Sequence, residues 1–224
     1  MPSSYTPLGV ELMVTGEQAG LWGDKTNTNL QIVSQIVGGY KSQAVNGTGD
    51  TPINVSDGST GATVAHRIIE LTGTITGNIT VSIALDVENF YIIKNSTSGA
   101  FTVEFQYTSG SGTSVTFSAT DKGTKFVYAK ADDGTNPNIV DVFSEFSQIN
   151  LVNQNELRFQ DATGGQYVGL RAATTVGSSF TLNLPTADAA SSGQALVSDS
   201  SGNLSFADAG ISTGKAIAMA MIFG

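Results

Sequence analysis

The sequence predicts a mainly β protein: a short N-terminal helix, a jelly-roll-like β-sandwich domain, and a C-terminal β module intertwined among three chains. Three observations predict it. Only 13 % of the residues are charged, and Thr, Ser, Gly and Asn, residues common in strands and turns, take their place. The hydrophobic period changes from 3.6 to 2 residues near Thr51. Beyond about residue 150, large apolar residues are too sparse for one copy to build a core.

The first predicted element is an amphipathic helix of about ten residues, preceded by a tight turn that holds the only tryptophan. Short polar side chains from Asp24 to Thr28 suit a helix start, and Gly38-Gly39 suits an end with a left-handed glycine. Such a short helix needs a packing partner, which is its own domain, copies of itself or a larger assembly. The predicted trimer or docking contacts are Trp22, Leu30, Val33, Ile36, Val37 and Tyr40.

The N-terminal segment and the first β domain are predicted to occupy residues 1–42 and 43–148. Residues 1–14 form a polar arm that is expected to be extended and ordered only where it docks. In the β domain, seven or eight short runs alternate between apolar and polar residues, as in Ile79 to Ile83. The apolar run 90–93 indicates a strand covered on both faces. This spacing of strands is typical of sandwiches and jelly rolls.

The segment 149–209 is predicted to be a β module that three copies share, because one copy cannot offset the entropy of ordering its backbone. The apolar tail 210–224 is expected to be a last strand or plug in the shared core, or a sticky end for a partner. The predicted trimer core consists of Leu157, Phe159, Leu170, Leu182, Leu184, Leu204, Phe206, Ile217, Met219 and Met221.

Two stretches of the chain carry sets of residues that point to a known family. The first set is Gly20, Trp22, Gly23, Asn27, Asn29, Leu30, Gly38, Gly39 and Tyr40. The second set is Leu157-Arg158-Phe159, Tyr167–Ala172, Thr181–Pro185, Asp188, Gly193–Leu196, Asp199 and Gly202–Phe206. Both stretches resemble virion structural proteins of marine bacteriophages, tail-fibre proteins of the cyanophage and pelagiphage kind among them, and Gly214–Ala218 resembles the end of such proteins. The resemblance covers most of residues 5–42 and 155–208, with Phe206 where Trp is expected and Asn183 where an aromatic residue is usual.

The resemblance implies a homotrimeric component of the phage particle, made in the host cytoplasm. The leading expectation is a non-enzymatic tail fibre or short adhesin-like fibre that joins the virion to the host surface. Its N-terminal part would dock tail, adaptor or baseplate proteins, and its distal part would face a surface glycan or outer-membrane protein. A head fibre, capsid decoration protein or tail adaptor is the alternative. A sugar-binding or depolymerase tailspike is a remote one.

Charge and residue types argue against several other classes of function. The net charge of −9, with scattered Lys and Arg, does not suit binding to nucleic acid. No apolar run reaches the length of a membrane span, so membrane insertion is not predicted. The chain has no cysteine and a single histidine, His66, which is interpreted as structural, so no zinc site is predicted.

Catalytic, cofactor and metal sites are therefore all predicted to be absent. The close carboxylate pairs are Asp86 with Glu88 and Asp132 with Asp133, and the second pair suits a turn better than a glycosidase or calcium site. The two short glycine–lysine strings, which end at Lys25 and Lys215, depart from the phosphate-loop pattern.

Overall fold

The computed structural model describes residues 3–120, 122–161, 165–209 and 213–223. They form two compact units, residues 1–147 and 148–224, so the predicted N-terminal segment and β domain lie in one unit. The mainly β class with a short helix is confirmed. In chain order the elements are β1 (Ser4–Tyr5), β2 (Glu11–Leu12), α1 (Trp22–Gly38), β3 (Tyr40–Ala44), β4 (Gly47–Pro52), β5 (Ile68–Ile83), β6 (Asn89–Ser98), β7 (Val103–Tyr107), β8 (Val115–Phe117), β9 (Thr124–Ala129), β10 (Ile139–Asp141), β11 (Leu157–Gln160), β12 (Tyr167–Leu170), β13 (Gln194–Ser198), β14 (Leu204–Asp208) and α2 (Thr213–Phe223).

The first unit is built around β5, a strand of 16 residues. The first half of β5 pairs in parallel with β3 on one edge and β6 on the other, and its second half pairs in parallel with β4 and β7. Antiparallel strands extend the sheet to the order β10-β9-β6-β5-β7-β8. The Ile139 N–H donates to the Thr113 carbonyl at 2.9 Å, which links β10 to the residues before β8 and nearly closes the sheet.

The nearly closed sheet encloses one apolar core. Alternate residues of β5 face inward, as the sequence predicts for Ile79, Val81 and Ile83, and all three are buried. The rings of Tyr91 and Phe105 meet edge to face, 5.6 Å apart, at the centre of the core. The sequence predicts a jelly-roll-like arrangement of strands, and the structure adds that β5 pairs in parallel with its neighbours. Alternation determines which side of a strand is buried but not which strand lies beside it.

The helix α1 is longer than the predicted ten residues and begins earlier, at Trp22. Its first turn follows Leu21, whose side chain makes no capping bond, so the prediction of a start between Asp24 and Thr28 is wrong. The predicted left-handed end is also wrong, because Gly39 follows α1 in an extended conformation with φ −69° and ψ 146°. Glycine is needed there for space: a Cβ on Gly39 would lie 2.7 Å from the Cα of Gln35.

The described part of the N-terminal arm, residues 3–14, docks on α1 through Glu11. The side chain of Asn29 accepts from the Glu11 N–H and donates to the Glu11 carbonyl, both at 2.9 Å, so it pairs with the arm as a neighbouring strand would. The Glu11 carboxylate is buried and lies 3.1 Å from the Lys25 ammonium. Ile32, which is fully buried, completes the contact of α1 with its own unit.

The second unit consists of two antiparallel hairpins, β11–β12 and β13–β14, followed by α2. None of residues 148–161, 165–209 and 217–223 is buried. The strand predicted around residues 180–184 is reduced to a single bridge between Asn183 and Asn203. The apolar tail forms a helix, so the prediction of a last strand is wrong there; residues 210–212 and 224 of the tail lie outside the described residues.

Candidate interaction surfaces

The outer face of α1 is an exposed apolar stripe. Leu30, Val33 and Val37 follow one another at spacings of three and four residues, and all three are exposed. Trp22 is exposed at the start of the helix, and Tyr40 is exposed just beyond its end, in β3. Ile36 differs from the other predicted contact residues, because it is half-buried between this stripe and the inward face.

The outer stripe of α1 carries no charge. The only charged residues in the helix are Asp24 and Lys25, and Lys25 turns inward to the Glu11 carboxylate. Beside the stripe lies an open groove of 530 Å³, lined by Leu30, Val33, Ser34, Gln35, Val37, Gly38 and Gly39. An uncharged apolar stripe beside a groove is the kind of surface that binds another protein.

The first hairpin of the second unit has one apolar face. Leu157 lies opposite Leu170 and Phe159 lies opposite Val168, which places all four side chains on the same face. Each of them is exposed. The other face is polar, since the guanidinium of Arg158 lies 4.3 Å from the centre of the Tyr167 ring.

The second hairpin repeats this arrangement. Leu196 lies opposite Phe206, and Leu204 lies on the same face of the hairpin. The turn between the strands is held by Asp199, whose Oδ1 accepts from the Ser201 N–H at 2.8 Å and the Asn203 N–H at 2.9 Å. The hydrogen bond from the Asn203 side chain, followed by these two, lowers the pKa of Asp199. The hairpin is therefore shaped by polar turn contacts, while its apolar side chains stay uncovered.

The predicted trimer-core residues are thus placed in the second unit without being buried by it. Nine of the ten are exposed, and only Leu204 is half-buried. Leu184 and Met221 are the extreme cases, at 79 % and 81 % exposure. Along the chain, Leu182 and Leu184 come after the first hairpin and before the second. Ile217, Met219 and Met221 belong to α2. The structure describes these residues in one copy only, so their contacts with other copies stay a prediction.

Comparison with protein-family models, curated proteins and solved structures finds no match to this chain. Its function must therefore be inferred from its own residues and surfaces. Over the part of the chain that the structure describes, no helix has the length and hydropathy needed to cross a membrane.

The pair Asp132 and Asp133 lies in a turn and is occupied by local contacts. Asp132 forms an ion pair with Lys130 at 2.8 Å and accepts from the Asn138 N–H at 3.0 Å, and these contacts hold its pKa well below the usual value. Asp133 accepts from the backbone N–H of Thr135 at 2.8 Å. Both carboxylates thus serve the turn, as the sequence indicated.

The other candidate catalytic groups are dispersed. Asp86 lies in the turn between β5 and β6, and Glu88 accepts from the Tyr128 hydroxyl at 2.6 Å. His66 is buried, with its Nδ1 2.7 Å from the carbonyl oxygen of Ala62. Within the described residues, no three His, Asp or Glu side chains are arranged to hold a metal ion. Lys25 binds Glu11, and the glycine string before Lys215 lies largely outside the described residues.

Two features of the first unit's surface were not predicted from the sequence. Phe143 and Phe146 stack 5.8 Å apart beyond the last strand, and Phe143 meets Phe126 edge to face at 4.8 Å. Both Phe143 and Phe146 are exposed. The available signal in the sequence is two phenylalanines three residues apart after a strand, and this spacing does not fit the alternation of a strand.

The second unpredicted feature is a polar network centred on Glu70 of β5. Its carboxylate accepts from Ser96 Oγ at 2.6 Å, from the Tyr40 hydroxyl, and from Lys94 Nζ at 2.9 Å. These bonds, with that from Ser96 first, lower the pKa of Glu70 to about 2. The network ties β3, β5 and β6 together. It also engages the hydroxyl of Tyr40, so only the ring of this residue is left for the predicted interface.

Proposed function

We propose that this chain is a homotrimeric, non-enzymatic structural protein of a bacteriophage particle. It acts as a tail fibre or short fibre that joins the virion to the host surface. The observation that carries the proposal is the exposure of the second unit: it presents apolar faces on both hairpins and on α2, yet none of residues 148–161, 165–209 and 217–223 is buried.

The energetics favour partners for this unit. Fully burying one Leu, Val, Phe or Met side chain stabilises a protein by about 1.5–3 kcal/mol, and a single copy buries none of these side chains fully in residues 148–161 and 165–209. An isolated two-stranded hairpin is marginal in water. Three copies around one axis give each hairpin face an identical apolar face to pack against, and closure covers the strand edges.

The resemblance of both ends of the chain to marine phage virion proteins supplies the biological setting of the proposal. In that setting the N-terminal arm and α1 assemble near the trimer axis or dock other virion proteins of the tail, adaptor or baseplate. The distal part meets a glycan or an outer-membrane protein of the host. The function is binding and linkage, which agrees with carboxylates that are engaged in turns and strand networks.

The oligomeric state tests the core of the proposal. Light scattering and sedimentation over a wide concentration range should give a mass three times that of the 23.1 kDa chain. Leu196→Asp should dissociate the trimer, because it places a charge on the apolar face of the second hairpin. Val197→Asp is the matched control, since its side chain points to the opposite face. A full-length monomer whose C-terminal third resists proteolysis would overturn the proposal.

Position in the particle tests the fibre assignment. Antibody labelling of intact virions should mark the tail, and quantified virion protein should give a small multiple of three copies per particle. Many tens of copies on the head would identify a decoration protein instead. Release of reducing sugar from host polysaccharide, abolished by an Asp or Glu substitution, would contradict the non-enzymatic role.

A further inference from the structure

The exposed stripe of α1 follows the heptad pattern of a coiled-coil seam. With Gly23 as position a, the a and d positions are Gly23, Thr26, Leu30, Val33 and Val37. Ile32, which anchors α1 to its own unit, falls at position c, away from the seam. The helix therefore has two separate apolar faces, one used within the copy and one that is exposed at Leu30, Val33 and Val37 and half-buried at Thr26. We call the second face the α1 seam.

The charge pattern of α1 favours identical copies of the chain as the partners of the seam. In a parallel, in-register assembly of identical chains, each seam residue meets itself, so any charge at a, d, e or g would face its like. Asp24 and Lys25, the only charges of the helix, lie at b and c. This matters because the whole chain carries a net charge of −9, which otherwise opposes self-association.

The geometry points to a parallel, in-register bundle formed by the α1 seams of the three copies. This inference rests on the proposed trimer and describes how the N-terminal parts of its three copies associate. Leu at a followed by a β-branched residue at d, as in Leu30 and Val33, favours assemblies of more than two helices. The seam holds little more than two heptads, so it forms because the second unit keeps the copies together at high effective concentration.

Single cysteines test the inference, since the natural chain has none. The full-length variants are Val33→Cys and Val37→Cys on the seam, with Gln31→Cys as the control at exposed position b. Disulfide formation under mild oxidation is followed on denaturing gels without reductant. In the bundle, one disulfide joins two copies and leaves the third free. Seam thiols at millimolar effective concentration should react about a thousandfold faster than control thiols that meet by diffusion at micromolar protein.

The variant at residue 37 separates parallel from antiparallel packing. In an antiparallel pair centred on Val33, the two thiols at position 33 could join, whereas those at position 37 would be about 12 Å apart, from the 1.5 Å rise per residue, and could not. Rapid linkage of Val33→Cys without Val37→Cys would therefore overturn the parallel register. Trp22 fluorescence and the mass of each reduced variant show whether it has kept the fold and the trimer.

The results distinguish failure of the seam from failure of the trimer. If scattering gives a trimer and both seam variants link no faster than Gln31→Cys, the α1 inference is overturned and the proposed function stands. If scattering gives a monomer at all concentrations, the proposed function fails and the seam fails with it. Fast linkage at both seam positions within a trimer supports both.

Discussion

Two neighbouring glycines at the end of α1 should respond to alanine with opposite signs. A Cβ on Gly39 would lie 2.7 Å from Gln35 Cα, 2.8 Å from the Gln35 carbonyl oxygen and 2.9 Å from His66 Cδ2. Two of these three atoms belong to the backbone of Gln35, and the third belongs to His66, which is buried. Neither residue can therefore move aside freely to make room for the Cβ. Gly38 has no such neighbour within 4 Å and lies in the last helical position.

The magnitudes follow from these contacts. Gly39→Ala should cost about 1–3 kcal/mol, as overpacking does in a tight interior. Gly38→Ala should stabilise the unit by up to about 1 kcal/mol, because alanine is the better helix former. The two variants change the same atoms in adjacent residues, so each is the matched control of the other.

Urea unfolding followed by Trp22 fluorescence is the assay, since the only tryptophan lies in α1 and reports on the first unit. A difference of about 2 kcal/mol between the variants separates their midpoints by about 1 M urea at typical slopes. If Gly39→Ala is as stable as the parent protein, the close approach of α1 to His66 does not exist. The account of how α1 ends would then be wrong.

Three further predictions concern how α1 and the sheet are held. Ile32→Ala should destabilise the first unit by about 2–5 kcal/mol, because the side chain is fully buried, and a loss within the error of the urea assay would contradict its anchoring role. Asn29→Ala removes both hydrogen bonds to the Glu11 backbone and should cost about 1–3 kcal/mol; limited proteolysis should then cut the arm before the core, and an arm still protected would refute the pairing. Folding lowers the pKa of Glu70 from 4.5 to about 2. The ionised carboxylate therefore contributes fully to the free energy of unfolding above pH 4.5, and this contribution is lost as the pH falls towards 2. In Glu70→Gln the free energy of unfolding should fall less steeply between pH 4.5 and 2 than in the parent protein. An unchanged pH dependence would show that the network does not stabilise the sheet.

Periodicity predicted the parts of the fold that depend on which side of a segment is buried. Ile79, Val81 and Ile83 were predicted to share a buried face and do so. The same rule could not find the neighbours of β5, because parallel pairing joins segments far apart in the chain and leaves no local mark. The sequence indicated the strands, and only the structure shows that β5 has partners on both edges along both halves.

Local sequence signals failed at both ends of α1 for reasons that lie outside the helix. Asp24 and Thr28 resemble capping residues, but the contacts of Lys25 and Asn29 with Glu11 place them within a longer helix. Gly39 resembles a left-handed cap, but its small size is used for close packing. The apolar face of α1 was predicted as one surface, whereas the structure assigns Ile32 to the interior and leaves the remaining stripe free.

The position of β5 in the sheet also constrains the order in which the first unit can be made. Its parallel partners come from both sides of the chain: β3 and β4 are synthesised before it, and β6 and β7 after it. A nascent chain that has emerged only as far as Ile83 therefore exposes an open edge along all of β5, and such edges recruit other strands. This edge is covered only after the ribosome has synthesised the chain through Tyr107. Fast elongation from Ile83 to Tyr107, or a chaperone bound to the nascent chain, should therefore reduce aggregation.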